Sequence, residues 1–252
     1  MWYRFLIIGF FVNCFFSLSA QVSIRDSTIS LVMVSPVYCG YLPGGDMLNR
    51  FGYTSVVGLE AGYKHRSNFY ATITAGFLFG ETVKERTLFK DLVTSAGLLI
   101  NQNGNLTSVG VQERGTIIPL RFGKIWPIHL ITKNPNSGVY TEVGVQFLEH
   151  YIHILTDKNV PMLVGKYLKG YDRLTSGSGV LVSAGYRFFG NRRAINFLVG
   201  FDFSYNQTKA RRPYDFDLKQ YSSQIRKDIL YGFRLGWTVP LYKQAPEKQY
   251  FF

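Results

Sequence analysis

Ile229-Leu230-Tyr231-Gly232-Phe233-Arg234-Leu235-Gly236-Trp237-Thr238-Val239-Pro240-Leu241-Tyr242 alternates bulky apolar residues with small or polar ones. Successive side chains on a strand point to opposite faces. Tyr231, Phe233, Leu235, Trp237, Val239 and Leu241 therefore share one face, and Asp228, Leu230, Gly232, Arg234, Gly236 and Thr238 share the other. One side is aromatic and apolar, while the other is polar and lightened by glycine.

Seven further segments read the same way. The first lies within Leu31–Tyr41, where both faces are fairly apolar and Pro36 interrupts the run. Thr54–Lys64 sends Val57, Leu59, Ala61 and Tyr63 outward, with Glu60 and Lys64 inward. Phe69–Gly80 sends out Phe69, Ile73 and Phe77, and a segment near Arg114–Gly123 sends out Ile118, Leu120 and Phe122. Val139–His150, Gly179–Phe188 and Ile195–Tyr205 present Val143 and Phe147, Val180 and Tyr186, and Phe201 and Phe203. Most have the length a tilted strand needs to cross a bilayer, and an even strand number returns both chain ends to one side.

The connections support the count. His65–Asn68 and Phe189–Ala194 are short, whereas those near 81–113, 151–178 and 206–227 are long. Tight periplasmic turns alternating with extended outer loops are the habit of outer-membrane barrels. Lys124–Gly138 breaks the pattern, being long where a short turn is expected. A soluble barrel would turn its apolar face inward, but these Phe, Tyr and Trp side chains are too bulky for the interior of eight strands. The predicted fold class is all-β, an eight-stranded antiparallel up-and-down transmembrane barrel with long extracellular loops.

Residues 1–20 read as a signal peptide, with Arg4 before the apolar Phe5–Phe16 and the small-residue end Ser17-Leu18-Ser19-Ala20. The expected domains are this leader, a barrel over 21–242 and a periplasmic aromatic tail over 243–252. Cys39 is the only cysteine of the mature chain, which leaves no intramolecular disulfide and no cysteine metal pair. The formal charge of +12 suits lipid phosphates or acidic glycans rather than nucleic acid in an exported protein.

With eight strands, long outer loops and a charged lumen, the chain resembles the OmpA-like small outer-membrane barrels of Gram-negative bacteria. Two stretches also resemble elements of small barrels associated with type IX secretion and gliding. These are Leu42-Pro43-Gly44-Gly45-Asp46 with Arg50-Phe51-Gly52, and Lys169-Gly170-Tyr171-Asp172-Arg173-Leu174. The resemblance implies fold and an integral outer-membrane location, but little activity.

Inward parity falls to Glu60, Lys64, Arg121, Glu142, Arg187, Asp202 and Arg234, which are expected to pair as a polar plug rather than line a pore. Arg121 and Glu142 are the first expected pair. A basic outer-loop patch comprises Lys209, Arg211, Arg212, Lys219, Arg226 and Lys227, suited to lipopolysaccharide phosphates or an acidic partner. Thr82–Ser95 has a helical pattern, and Asn103-Gly104 predicts a hairpin turn. His150 with Asp202 and Ser204 would suit a lipid-modifying or proteolytic enzyme, and His150 with His153 a metal, but no diagnostic motif accompanies either set.

The resulting expectation is a non-enzymatic barrel without cofactor, catalytic residues or metal, serving as a structural or accessory subunit of a secretion, gliding or assembly complex in the cell envelope. A monomeric surface adhesin, or a binder of glycolipid or host factors, is the first alternative, and the barrel enzyme is the second. Expected partners are outer-membrane lipid, lipopolysaccharide and other envelope proteins, with no nucleic acid.

Overall fold

Period-two alternation becomes a wall when every strand edge finds a partner. The computed structural model describes residues 27–85, 87–128, 132–156, 160–165, 167–190, 195–221 and 224–241. The expected leader over 1–20, Tyr242 and the tail over 243–252 lie outside the described residues. Eight long strands form the wall: β1 (Leu31–Gly45), β2 (Thr54–Lys64), β3 (Phe69–Gly80), β4 (Gly110–Trp126), β5 (Gly138–Leu155), β6 (Thr175–Phe189), β7 (Asn196–Ala210) and β8 (Ile225–Trp237). Each pairs antiparallel with its sequence neighbour, and β1 closes the ring on β8 from Val37↔Gly236 to Gly45↔Asp228. A closed ring leaves no unpaired edge, the condition for crossing hydrocarbon with strands.

The outward face is apolar on every strand. Val57, Leu59, Ile73, Phe122, Val143, Val180, Phe201 and Trp237 are all exposed, with Val143 at 62%. A belt of this kind is stable only against lipid, so the chain is a membrane-spanning barrel. None of the described helices is long and apolar enough to cross a membrane.

Two corrections concern the strand ends. Pro36 does not interrupt β1, which runs from Leu31 to Gly45 through it. Its effect appears on the neighbour instead: β8 stops at Trp237 and resumes as Val239–Leu241, with the break at Thr238 opposite Ser35 and Pro36. Proline offers no N–H, so the ladder loses its bond there. The backbone N–H of Thr238 donates to the Asn196 carbonyl (2.8 Å) on the other side. The second correction is that β1, β4, β5, β6, β7 and β8 extend further toward the long-loop end than the alternation indicated.

The loops fold over that end. A short helix α1 (Asp46–Arg50) follows β1, entered through Gly45 at φ +60°, where a Cβ would lie 2.2 Å from the Lys227 carbonyl oxygen. Met47, Phe51, Leu88, Leu99, Ile152, Leu163 and Tyr171 form an apolar core beneath this cap. Among the described residues of Thr82–Ser95 no helix forms, and residues 87–92 run as turns around Leu88 and Phe89. Isolated short helices are marginal, and burying Leu88 and Phe89 under the cap decides the shape. Leu99–Ile100 does pair with Leu106–Thr107 around Gly104, which sits at φ +78°.

Candidate functional site

Mid-barrel, the inward parity of β2, β4, β5, β6, β7 and β8 brings Arg121, Arg187 and Arg234 together with Glu60, Glu142 and Asp202. All are at most 4% exposed. Arg234 lies at the centre, with Nη1 2.9 Å from Glu60, Nε 3.3 Å from Asp202, and Nη2 bonded to Glu142. Arg187 reaches Glu60 at 3.1 Å, and Arg121 reaches Asp202 at 3.2 Å. Arg121 and Glu142 do approach, but only to 3.7 Å, so Asp202 across the lumen is the nearer partner of Arg121. Tyr41 donates to Asp202 (2.9 Å) and Tyr70 to Glu142 (2.7 Å). Three cations meet three anions in a lumen that cannot hydrate them, so pairing holds them charged.

Lys64 departs from the expected network. It is fully buried at the short-turn end and donates to the Ile29 carbonyl (3.1 Å) and to Asn136 Oδ1 (2.9 Å), with no carboxylate among its described bonds. Asn136 belongs to the anomalously long turn, whose described stretch Asn134–Ser137 tucks into the barrel mouth. Asn134, Asn136 and Ser137 are buried there, and Asn134 Nδ2 donates to the Phe189 carbonyl (2.8 Å). Charged side chains thus occupy the middle of the lumen, and Asn134, Asn136 and Ser137 stand at its short-turn end. Planar-bilayer recording is expected to give no steady open conductance, and a stable large conductance would overturn the plugged reading.

The long-loop end carries a different arrangement. A polar pocket of about 370 Å³ is lined by Arg50, Arg173, Arg212 and Arg226, by Glu85 and Asp215, and by Thr175 and Tyr221 among others. Each outer loop supplies part of it. Arg50 Nε pairs with Glu85 (2.7 Å), and its Nη1 donates to the Arg173 carbonyl (3.3 Å) and to Thr175 Oγ1 (3.1 Å). Arg173 ties three acids: Glu85 (3.2 Å), Asp215 (2.5 Å) and Asp217 (2.6 Å). Gly170, just before it, lets Phe216 pack where a Cβ would lie 2.2 Å from the ring.

Positive charge is in excess at the lining. Arg212 is satisfied by Asp172, whose hydrogen bond raises its pKa, but Asp172 does not itself line the pocket. Burial lowers the pKa of Arg50, and the nearby Arg226 lowers it further against the pull of Glu85. Burial raises the pKa of Asp217, and Arg173 opposes the shift. Arg226 is the least satisfied cation. Its Nη2 donates to the Asp46 carbonyl (2.8 Å) and lies 3.5 Å from Asp228, but its Nε has no hydrogen-bond partner among the described residues. Asp228 is already engaged by His150 (3.0 Å) and Thr208.

The six residues of the basic patch therefore divide. Arg212 and Arg226 line the pocket, while Lys209, Arg211 and Lys227 are exposed at the strand ends. Arg211 Nε reaches Ser176 Oγ at 2.6 Å, and Lys219 forms an exposed pair with Asp91 at 3.2 Å. Arg50, Glu85, Arg173 and Asp215 were not among the sequence candidates, although Arg50 and Arg173 lie in the two stretches that resembled recurring barrel elements. His150 is fully buried, packs edge-on against Phe51, and bonds Asp228 rather than Asp202 or Ser204. Among the described residues no cluster of three His, Cys, Asp or Glu could hold a metal.

No protein-family model matches the chain, and no curated protein does. Among solved structures it is similar to Ail, the attachment invasion locus protein of Yersinia pestis, at 8% identity and a TM-score of 0.39, covering 83% of this chain and 99% of that one. It is also similar, at 9% identity, a TM-score of 0.38 and the same coverage, to Ail in complex with the heparin analogue sucrose octasulfate.

Proposed function

We propose that this chain is a non-enzymatic surface binder in the outer membrane, an OmpA-like small barrel whose cap pocket takes an anionic group carried by a glycan. The observation that carries this reading is the arginine-lined pocket, with Arg226 incompletely bonded at its wall. Guanidinium groups offer planar forks of donors that match sulfate, phosphate or carboxylate oxygens. The pocket opens on the side of the long loops, which face outward in barrels of this kind. The wall exists to hold the four loops in register, and the balanced lumen insulates them from the periplasm. The buried His150, held by Asp228, has a structural role in supporting the cap.

The same chemistry could come from a soluble sulfated oligosaccharide or from lipopolysaccharide phosphates, and the test separates them. Calorimetric titration of the detergent-solubilised barrel is run with a sulfated oligosaccharide, with its desulfated counterpart, and with purified lipopolysaccharide. Binding of one anionic ligand is expected, weakening as salt is raised. Arg226→Gln should reduce its affinity by about tenfold or more, equivalent to about 1.4 kcal/mol. Equal binding of the desulfated sugar, or no response to any of the three, would sink the proposal.

A further inference from the structure

The lipid-facing wall is not evenly covered. At the short-turn end, a groove of about 690 Å³ crosses the outer surface of β2, β3, β4 and β5. The pairing register explains it. Tyr63, Ala71, Phe122 and Val143 fall in one row across the strands, and Phe69, Lys124 and Thr141 in the next row down. Ala71 is the small member between Tyr63 and Phe122, so the surface dips there between large rings. Trp126 closes the lower edge and donates from Nε1 to Thr141 Oγ1 (3.1 Å).

One cation sits in this apolar lining. Lys124 Nζ lies 4.8 Å from the centre of the Phe69 ring and 4.4 Å from that of Trp126, and Glu142, the carboxylate residue of the lining, is engaged by Arg234 and Tyr70. His65 lines the same groove, from the turn after β2. A lysine at this level can bury its stem along the aromatic rings while its ammonium stays at the polar interface. By contrast, a second outer furrow of about 560 Å³ runs beside the β1–β8 seam, between Pro36, Val57, Phe197 and Trp237, and has no charged residue in its lining.

We propose that the Lys124 groove is a specific glycerophospholipid site at the periplasmic interface, taking an acyl chain over Ala71 and the headgroup phosphate at Lys124. Charge and geometry choose this occupant. The groove lies in the belt that only lipid can cover, and the cation stands at the end where the short turns place the headgroup level. An apolar chain alone would fill the seam furrow as readily. The phosphate requirement is what sets the Lys124 groove apart.

The test uses the full barrel in vesicles containing a phosphatidylglycerol with a photoreactive acyl chain, and labelled residues are mapped by mass spectrometry. Labelling is expected to concentrate around Ala71, Phe122 and Val143, at least fivefold above the seam furrow. Lys124→Glu should lower it about fivefold or more, and Ala71→Phe should bring it down to the seam level. Both positions face lipid, and heat-modifiable gel migration verifies that each variant is folded. A photoreactive diacylglycerol, which lacks the phosphate, should label both furrows alike. Even labelling around the belt, unchanged in both variants, would mean ordinary annular lipid and overturn the proposal.

Discussion

Arg234→Leu is expected to lower the unfolding free energy of the barrel by about 3–5 kcal/mol, the cost of breaking a buried ion pair by removing one partner. Arg234 touches Glu60, Glu142 and Asp202 at once, so its loss leaves three carboxylates with two arginines in a sealed lumen. The penalty comes from the stranded anions, not from lost packing, because leucine keeps an apolar stem. That distinction is measurable. Adding Glu60→Gln to Arg234→Leu restores the charge balance, so the double variant should be more stable than the sum of the two single losses, by at least about 1 kcal/mol. Urea unfolding in detergent, followed by heat-modifiable migration, reads both quantities. Strict additivity would mean that the six side chains do not act as one network.

Arg173→Met should have an effect of similar size confined to the cap. Arg173 is 6% exposed and holds Glu85, Asp215 and Asp217, which come from two different outer loops. Removing its charge strands Asp215 and Asp217, while Glu85 keeps Arg50, and this costs about 3–5 kcal/mol locally. Limited proteolysis should then cut the outer loops, while the membrane wall keeps its wild-type gel shift. Anionic-ligand binding should be lost with the pocket. Wild-type resistance to protease would show that the apolar core around Phe51, Leu88 and Tyr171 holds the loops unaided.

The contrast between these sites explains what the sequence could reveal. Seven of the strands were legible because lipid and lumen impose opposite demands on alternate residues, as at Ile229–Trp237; the first carries apolar Met33, Val37, Cys39 and Tyr41 on its inward face and lacks that contrast. Above the membrane, the outward face meets water and the demand disappears. Gln112, Glu149, His153, Lys209 and Lys227 occupy outward parity there, so the strand extensions at Gly110–Glu113, Tyr151–Leu155 and Ile225–Asp228 carry no apolar alternation. The lumen charges were legible by parity, but their pairing was not. Arg121 lies opposite Gly144 and Glu142 opposite Gly123, so the two are diagonal neighbours, and partners across the bore leave no trace in spacing. The cap pocket was the least legible feature. Arg50, Glu85, Arg173 and Asp215 lie on four separate loops, and only the folding of those loops onto a shared apolar core brings them together.

The turn tucked into the lower mouth bears on the order of assembly. Asn136 Oδ1 receives the Ile29 N–H (2.9 Å) and Lys64 Nζ, its Nδ2 donates to Ser27 O (3.0 Å), and Asn134 and Ser137 bond Phe189. Those partners span the approach to the first strand, the end of the second and the end of the sixth. A chain stalled with only its early hairpins formed would leave Lys64 and Asn136 buried without complete partners, at a cost of about 1–3 kcal/mol for each unsatisfied group. The latch therefore rewards a sheet complete through β6 over any shorter one, and it ties the seating of the turn to that stage, before β7 and β8 close the wall.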